Sequence, residues 1–235
     1  MTVQEIMDDL KAHGNGGIKK ILLKHGIKEP FFGVKIEHLK PIQKKVKMDY
    51  QLAKDLYATG NADAMYLAGL IADDAKMTKE DLQTWVEMAV SNNISEYTVP
   101  WVAAEGTVGF EMALKWIDSP REHIAAAGWS TLGNLVSLKP DQELDMPALK
   151  ALLQRVVGTI HSADNRVKYT MNGFVIACGA YVQTLTNDAA IAAKDVGTVT
   201  VDLNGTACKV PSAADYIVKS QARGSLGKKK KTVKC

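Results

Sequence analysis

Carboxylate and aromatic side chains occur together between positions 96 and 105. This stretch holds Glu96, Tyr97, Trp101 and Glu105. Trp101 and Glu105 are four residues apart and would share one face of a helix, where the aromatic ring and the carboxylate would both attract a positively charged group. The alternative is that Trp101 belongs to the core, that Tyr97 packs at a repeat boundary, and that Glu96 and Glu105 are solvated.

Basic side chains are concentrated in two segments. Residues 19–54 carry ten lysines against three acidic residues, and residues 219–235 carry seven basic residues and no acidic one. Residues 55–218 between them carry eleven basic and twenty acidic residues. This distribution predicts a polyanionic partner, because each phosphate that a lysine neutralises releases condensed counterions. The alternative for residues 19–54 is that the lysines only keep exposed helices soluble.

Other residue combinations do not predict a site. The five histidines lack the spacing of metal ligands, so we expect no metal and no cofactor. Residues 15–20 combine glycine and lysine without the Gly-Lys-Ser/Thr ending of a P-loop. Three cysteines cannot form a disulfide framework and suit a reducing cytosol. The N-terminal residues are acidic, and no apolar run approaches the roughly 20 residues that span a bilayer, so we expect a cytoplasmic protein without a membrane segment.

Helical patterns dominate the first 195 residues. Apolar side chains follow the i, i+3, i+4, i+7 spacing of an amphipathic helix at Leu149, Leu152, Leu153, Val156, Val157 and Ile160. Capping residues predict that helices start at Thr78, at Ser119 and at Asp145.

The predicted helix starts recur at a coarse period. Those at Thr78, Ser119 and Asp164 are separated by 41 and 45 positions. Pairs of helices that repeat about every 40–47 residues are typical of HEAT and armadillo arrays. We therefore expect an all-α protein with a HEAT-like helical-repeat solenoid at residues 1–195, the alternative being an irregular bundle.

Residues 196–235 have a different pattern. Residues 198–203 alternate like a strand, Asn204 and Gly205 are a strong turn signal, and residues 206–210 suit a return strand. A short C-terminal β-hairpin is therefore expected, followed by a short helix at residues 212–221. The lysine-rich tail at residues 224–235 has little apolar surface, so we expect it to be mobile when unbound.

One segment resembles the N-terminal signature of a known family, the DNA alkylation repair family of AlkD-like, HEAT-like-repeat DNA glycosylases. The segment reads Pro30-Phe31-Phe32-Gly33-Val34-Lys35-Ile36-Glu37-His38-Leu39-Lys40-Pro41-Ile42-Gln43-Lys44-Lys45. The helical layout, residues 113–117 and residues 166–173 also resemble this family. The resemblance covers about residues 1 to 185 and leaves out the expected hairpin and tail.

The resemblance implies a helical solenoid whose concave basic face holds duplex DNA by its backbone. It also implies hydrolysis of the glycosidic bond of N3- and N7-alkylated purines, with no metal and no redox cofactor. A cationic base is already a good leaving group, so such an enzyme mainly supplies electrostatic support for an oxocarbenium-like sugar. In the family this support comes from a Trp-Asp-x-x-Asp element, a second Trp and an Arg.

The sequence departs from the family at this element. Matching the residues by eye places Ile94 at the Trp position and Ser95 and Thr98 at the two Asp positions. The second Trp matches near Phe174, and the Arg matches near Ala125. No Trp-Asp-x-x-Asp occurs anywhere in the chain, so whether the protein is an enzyme is left open by its residues.

The remaining candidates for glycosidic chemistry are few. Glu96 and Glu105 are the carboxylates near the divergent segment, and they are the catalytic candidates. Tyr97, Trp101 and Phe174 are the candidate aromatic walls of a pocket, since an aromatic face suits a cationic nucleoside.

We therefore expect a protein that binds alkylated or distorted duplex DNA by its backbone. The alternative is a non-catalytic solenoid that binds a protein or RNA. The side chains expected to contact the DNA backbone are basic and would position the duplex without reading its sequence. They are Lys35, Lys40, Lys44, Lys45, Lys47, Arg166 and Lys168.

Overall fold

The computed structural model describes residues 1–89 and 91–235. Within these ranges it contains thirteen α-helices and no β-strand, which confirms the predicted all-α class. None of these helices combines the length and the hydropathy that a bilayer crossing requires. The helices are α1 (Val3–Ala12), α2 (Gly16–Lys24), α3 (Ile36–Val46), α4 (Tyr50–Ala58), α5 (Ala62–Ile71), α6 (Lys79–Met88), α7 (Val99–Glu105), α8 (Gly109–Trp116), α9 (Glu122–Leu138), α10 (Met146–Thr159), α11 (Asn165–Tyr181), α12 (Thr186–Val196) and α13 (Ala213–Ala222).

Two of the helix starts predicted from capping residues are confirmed. Thr78 forms a reciprocal capping box at the start of α6, and the Asp145 side chain caps α10. The start predicted at Ser119 is wrong, because α9 begins at Glu122. The Ser119 hydroxyl instead accepts a hydrogen bond from the Arg121 N–H in the preceding turn.

The helices pack in two layers. The odd-numbered helices α3, α5, α7, α9 and α11 contact one another in succession, while α6 packs on α8 and α10 packs on α12. Helices α6, α9 and α11 begin at residues 79, 122 and 165, but α6 belongs to the other layer from α9 and α11, so this spacing of 43 residues does not join equivalent helices. Each helix buries its apolar face against its neighbours in the array, as in repeat proteins.

The apolar core extends along this array. One buried cluster runs from Ile6 in α1 to Ala127 in α9, and a second runs from Ala113 in α8 to Ile217 in α13. Helices α8 and α9 contribute side chains to both clusters. These two helices therefore join the first half of the chain to the second.

Gly109, the first residue of α8, brings α8 very close to α7. A Cβ at this position would lie 2.0 Å from the carbonyl oxygen of Ala103. We expect Gly109→Ala to lower the free energy of unfolding by about 1–3 kcal/mol, because the two helices would have to move apart. In the control Gly173→Ala, nothing outside the backbone of α11 lies within 4 Å of the new Cβ, so stability should rise by about 0.5–1 kcal/mol. Urea unfolding measures both changes, and equal stability of the two variants would contradict the close approach.

The β-hairpin predicted at residues 198–210 is wrong. Its turn is present, because Asn204 and Gly205 both have positive φ. The flanking backbone does not pair as strands: the Asn165 side chain, at the start of α11, bonds to both the N–H and the carbonyl of Asp202. Val199 packs into the second core cluster. Contacts with α11 and the core therefore take the place of the expected ladder.

The short helix predicted at residues 212–221 is confirmed as α13. It packs against α11 and α12, so residues 196–235 lie on the helical array. The division of the chain at residue 195 stays a prediction.

Candidate functional site

Glu96 and Tyr97 lie in a π-helical turn, Ile94–Thr98, directly before α7. The Val99 N–H bonds to the carbonyl of Ile94, five residues earlier, and Pro100 has no N–H for the next helical bond. Such turns are frequent at functional sites. This one buries Glu96 and leaves 45% of Tyr97 exposed.

Glu96 is held by Arg166 of α11, which lies 70 residues later in the chain. Arg166 Nε is 2.6 Å from Glu96 Oε1, and a terminal guanidinium nitrogen is 2.5 Å from Oε2. The Glu96 side chain is only 2% exposed, so the alternative of a solvated Glu96 is wrong. Burial raises the pKa of the Glu96 carboxyl, and the contact with Arg166 opposes that shift. Both carboxylate oxygens are thus engaged in one bidentate pair.

Arg166 is itself fixed by two further contacts. Its backbone N–H is 2.7 Å from Glu122 Oε1, and its guanidinium carbon lies 4.5 Å from the centre of the Tyr169 ring. Tyr169 was not among the predicted site residues. Its i, i+3 spacing from Arg166 on one helix predicts that the two side chains are neighbours. The guanidinium of Arg166 faces Glu96. The predicted contact of Arg166 with DNA stays a prediction.

A cavity of about 290 Å³ opens beside this pair, between α9 and α11. Trp129 and Phe174 are fully buried at its wall, with ring centres 5.4 Å apart. Tyr97, Tyr169 and Glu96 also line it. The structure therefore brings two of the three predicted aromatic residues, Tyr97 and Phe174, to one cavity.

Trp101 and Glu105 lie outside that cavity. Trp101 is buried in the first core cluster, with its ring edge-on to Tyr66 and the ring centres 5.2 Å apart. Glu105 accepts hydrogen bonds from the Thr232 hydroxyl and from the Val233 N–H, the latter at 2.9 Å. The alternative of a core Trp101 is therefore confirmed, and Glu105 is occupied by the tail.

The positions matched to the two Asp residues of the family point into the protein. Thr98 is fully buried and faces α5, where a Cβ on Gly69 would lie 2.5 Å from Thr98 Cγ2. Ser95 is also buried, and its hydroxyl bonds to the carbonyl of Ser91. Neither Thr98 nor Ser95 lines the cavity beside Glu96.

Most of the predicted DNA-contact lysines lie on or next to α3. Lys40 and Lys44 are one turn apart on this helix and share one side of it, and Lys47 directly follows its last residue. Lys168 is half-buried on α11, while the lysines near α3 are exposed. The exposed ones are Lys35, Lys40, Lys44, Lys45 and Lys47.

Tyr97 lies where three cavities meet. Besides the cavity beside Glu96, it lines one of about 290 Å³ with Ile36 and Leu39 of α3. It also lines one of about 250 Å³ with Arg166 and the turn at residues 203–206. The exposed tyrosine therefore lies on a surface that includes α3, α11 and this turn.

The lysine-rich tail is docked, so the expectation of a mobile tail is wrong. Lys229 Nζ lies 2.8 Å from Asp141 Oδ1, and Lys234 Nζ lies 2.7 Å from Asp74 Oδ2. Val233 packs against the first core cluster. Burial raises the pKa of the Asp74 carboxyl to about 6, against the opposing effect of Lys234, so Asp74 is mostly charged at neutral pH. Ion pairs with half-buried acidic residues thus hold the tail on the protein, although the tail has too little apolar surface to predict this. We call residues 227–235 the lysine strap.

The groups that most often hold metals are dispersed. Within the described ranges, His, Cys, Asp and Glu side chains do not form a group of three or more that could hold a metal ion. Cys208 and Cys235 are exposed, and Cys178 is buried. Burial raises the pKa of the Cys178 thiol well above its ordinary value, so Cys178 is a protonated core residue.

Two curated relatives match the chain along nearly its whole length. The uncharacterized protein Lin0241 of Listeria innocua is 33% identical over 229 residues, which is 95% of this chain and 99% of the relative. The uncharacterized protein Lmo0209 of Listeria monocytogenes is 32% identical with the same coverage.

A solved structure is similar over the full length of both chains. It represents a new family of proteins related to the HEAT-like repeat DNA glycosylases with affinity for branched DNA structures, and it matches with a TM-score of 0.92 and 36% identity, covering 100% of each chain. This likeness confirms the predicted HEAT-like helical array. The family model described as DNA alkylation repair enzyme matches residues 6–197. The chain therefore belongs to the DNA alkylation repair family.

Proposed function

We propose that this protein binds DNA through the phosphate backbone, with a preference for branched or otherwise distorted duplexes, and does not hydrolyse the glycosidic bond. The similarity to a solved protein with affinity for branched DNA, at 36% identity over the whole chain, supports the ligand. The lysines of α3 supply charge for sequence-independent phosphate contacts.

The observation that argues against hydrolysis, and so carries the assignment of binding without catalysis, is the Glu96–Arg166 pair. An oxocarbenium-like sugar needs a carboxylate whose negative charge is free to face it. Both oxygens of Glu96 are instead bound by one guanidinium at 2.5 and 2.6 Å. Glu105, the other candidate, bonds to the lysine strap. Neither carboxylate is available to a sugar in this arrangement.

The aromatic cavity beside Glu96 fits the same proposal. Its exposed member, Tyr97, offers a ring to an unstacked base at a junction or lesion, because base–aromatic stacking is tolerant of sequence. Residues 1–195 form the helical-repeat unit in this proposal, and residues 196–235 are an addition packed on it. The proposed location is the cytoplasm, because the three cysteines are free and the proposed ligand is DNA.

A single experiment tests binding and chemistry together. Excess protein is incubated with a duplex that carries 7-methylguanine and, separately, with a three-way DNA junction, while bound DNA and released base are measured on the same samples. We expect the junction to bind more tightly than the duplex, and base release to stay at the spontaneous rate.

Two results would contradict the proposal. Base release above the spontaneous rate, reduced in Glu96→Gln but not in the matched variant Glu105→Gln, would show that Glu96 is catalytic despite its pairing. Negligible DNA binding by the folded protein at low salt would favour a protein or RNA partner instead.

A further inference from the structure

The lysine strap crosses the odd-numbered layer at the ends of its helices. Its backbone N–H groups donate three hydrogen bonds of 2.8–2.9 Å, to Ala180 of α11, Ser137 of α9 and Glu105 of α7. Each acceptor lies within the last two residues of its helix. At the far end, Lys40 of α3 donates to the backbone oxygen of Cys235. The strap therefore runs from α11 to α3 across the layer that carries the candidate site.

Two lysines of the strap face into the protein. Lys229 pairs with Asp141 and Lys234 pairs with Asp74, and each ammonium also reaches a backbone carbonyl at or near a helix end. The carboxyl ends of helices carry a partial negative charge. Together with Glu105, these groups form an acidic strip beneath the strap.

Three other lysines of the strap face outward. Lys228, Lys230 and Lys231 are exposed. Lys230 lies at the rim of the cavity beside Glu96, where its Nζ is 5.3 Å from the centre of the Tyr181 ring. The strap thus neutralises the acidic strip with one set of lysines and presents positive charge to solvent with the other.

We infer that the docked lysine strap is part of the DNA-contact surface, and that it converts the acidic strip at the helix ends into a phosphate-binding strip running from Lys40 to the cavity beside Glu96. This inference rests on the proposed function. Phosphates would be repelled by Asp74, Glu105 and Asp141 if the strap were absent. Because the strap is already anchored at both ends, its backbone does not have to be ordered when DNA binds.

The test removes the outward charges and keeps the anchors. The variant Lys228→Gln/Lys230→Gln/Lys231→Gln is compared with wild type for binding to a fluorescent three-way DNA junction over a range of salt concentrations. We expect affinity to fall roughly 10- to 100-fold at about 0.1 M salt, and the slope of log K against log salt to become shallower by about 2–3. The unfolding transition should not move.

The matched control changes three exposed lysines on the even-numbered helices. Lys115, Lys150 and Lys194 lie on α8, α10 and α12, so replacing them with glutamine should leave the affinity and the salt slope at wild-type values. If this control weakens binding as much as the strap variant does, general charge explains the effect, and the inference is overturned.

A second variant tests whether the lysine strap contacts DNA or instead covers the DNA-binding site. Lys229→Gln/Lys234→Gln weakens the anchors and keeps the outward lysines. We expect affinity to fall here too, because the acidic strip becomes exposed. Tighter binding would show that the strap covers the site and would overturn the inference. Unchanged binding by the outward-lysine variant overturns the inference alone, whereas absence of DNA binding by the wild-type protein overturns the proposed function as well.

Discussion

Replacing Arg166 by methionine is expected to lower the free energy of unfolding by about 3–5 kcal/mol, because it leaves a buried carboxylate without its positive partner. Glu96 is 2% exposed and receives both of its short contacts from this guanidinium. Urea unfolding followed by circular dichroism measures the loss. The surface pair Arg121–Glu87 provides the matched control: its side chains are 51% and 46% exposed, so Arg121→Met should cost less than about 1 kcal/mol.

The pH dependence of Arg166→Met has a definite sign. Burial raises the pKa of Glu96 and Arg166 opposes the shift, so the variant should raise this pKa further. A carboxyl whose pKa is higher in the folded than in the unfolded protein binds more protons when folded, and stability then falls as pH rises between the two values. The deficit of Arg166→Met should therefore be smaller at about pH 5 than at about pH 8.

A second substitution should restore the stability lost in Arg166→Met. Adding Glu96→Leu to Arg166→Met removes the unpaired charge and should recover much of the lost stability. A loss in Arg166→Met no larger than in Arg121→Met, or a double variant less stable than the single one, would show that the pair is not the stabilising contact described here.

Reversing the charge of three lysines on and next to α3 is expected to weaken DNA binding more than any other change described here. In Lys44→Glu/Lys45→Glu/Lys47→Glu, six units of charge change at the last turn of α3, all three side chains are exposed, and Lys40 keeps its contact with the lysine strap. We expect affinity for a three-way junction to fall by roughly 100-fold or more at about 0.1 M salt, with the slope of log K against log salt reduced by about 3. The loss should be the same for three-way junctions of different sequence, since backbone contacts do not read sequence.

Folding and net charge are controlled separately in this experiment. Reversal at Lys115, Lys150 and Lys194 gives the same change in net charge on the even-numbered helices, and it should reduce affinity far less. If both triple variants weaken binding equally, while their unfolding transitions match wild type, DNA binding depends on net charge and not on the α3 surface.

The local features of this chain were readable without the fold. The caps at Thr78 and Asp145 follow from side chains that bond within their own turn. The repeat of helices follows from apolar spacing within each helix, and the turn at Asn204 and Gly205 follows from residues that tolerate positive φ. Each depends on neighbours a few positions away. The helix start predicted at Ser119 is wrong even though it depends only on nearby residues, because the Ser119 hydroxyl caps the turn before α9.

The features that required the fold join distant parts of the chain. Whether residues 198–210 pair as strands depends on Asn165, which captures the backbone of Asp202. Whether the lysine-rich tail is mobile depends on Asp74 and Asp141, which lie far from it in sequence.

Periodicity, composition and motif spacing were sufficient to predict the all-α class, the repeating helices, the basic segments and the absence of the Trp-Asp-x-x-Asp element. The state of Glu96 could not be predicted in this way, because Glu96 lies in the π-helical turn Ile94–Thr98 but is bound to an arginine 70 residues away. Periodicity and capping act over one or two turns, whereas a buried charge such as Glu96 is stable only with a partner, and the packing of α11 near this turn supplies that partner.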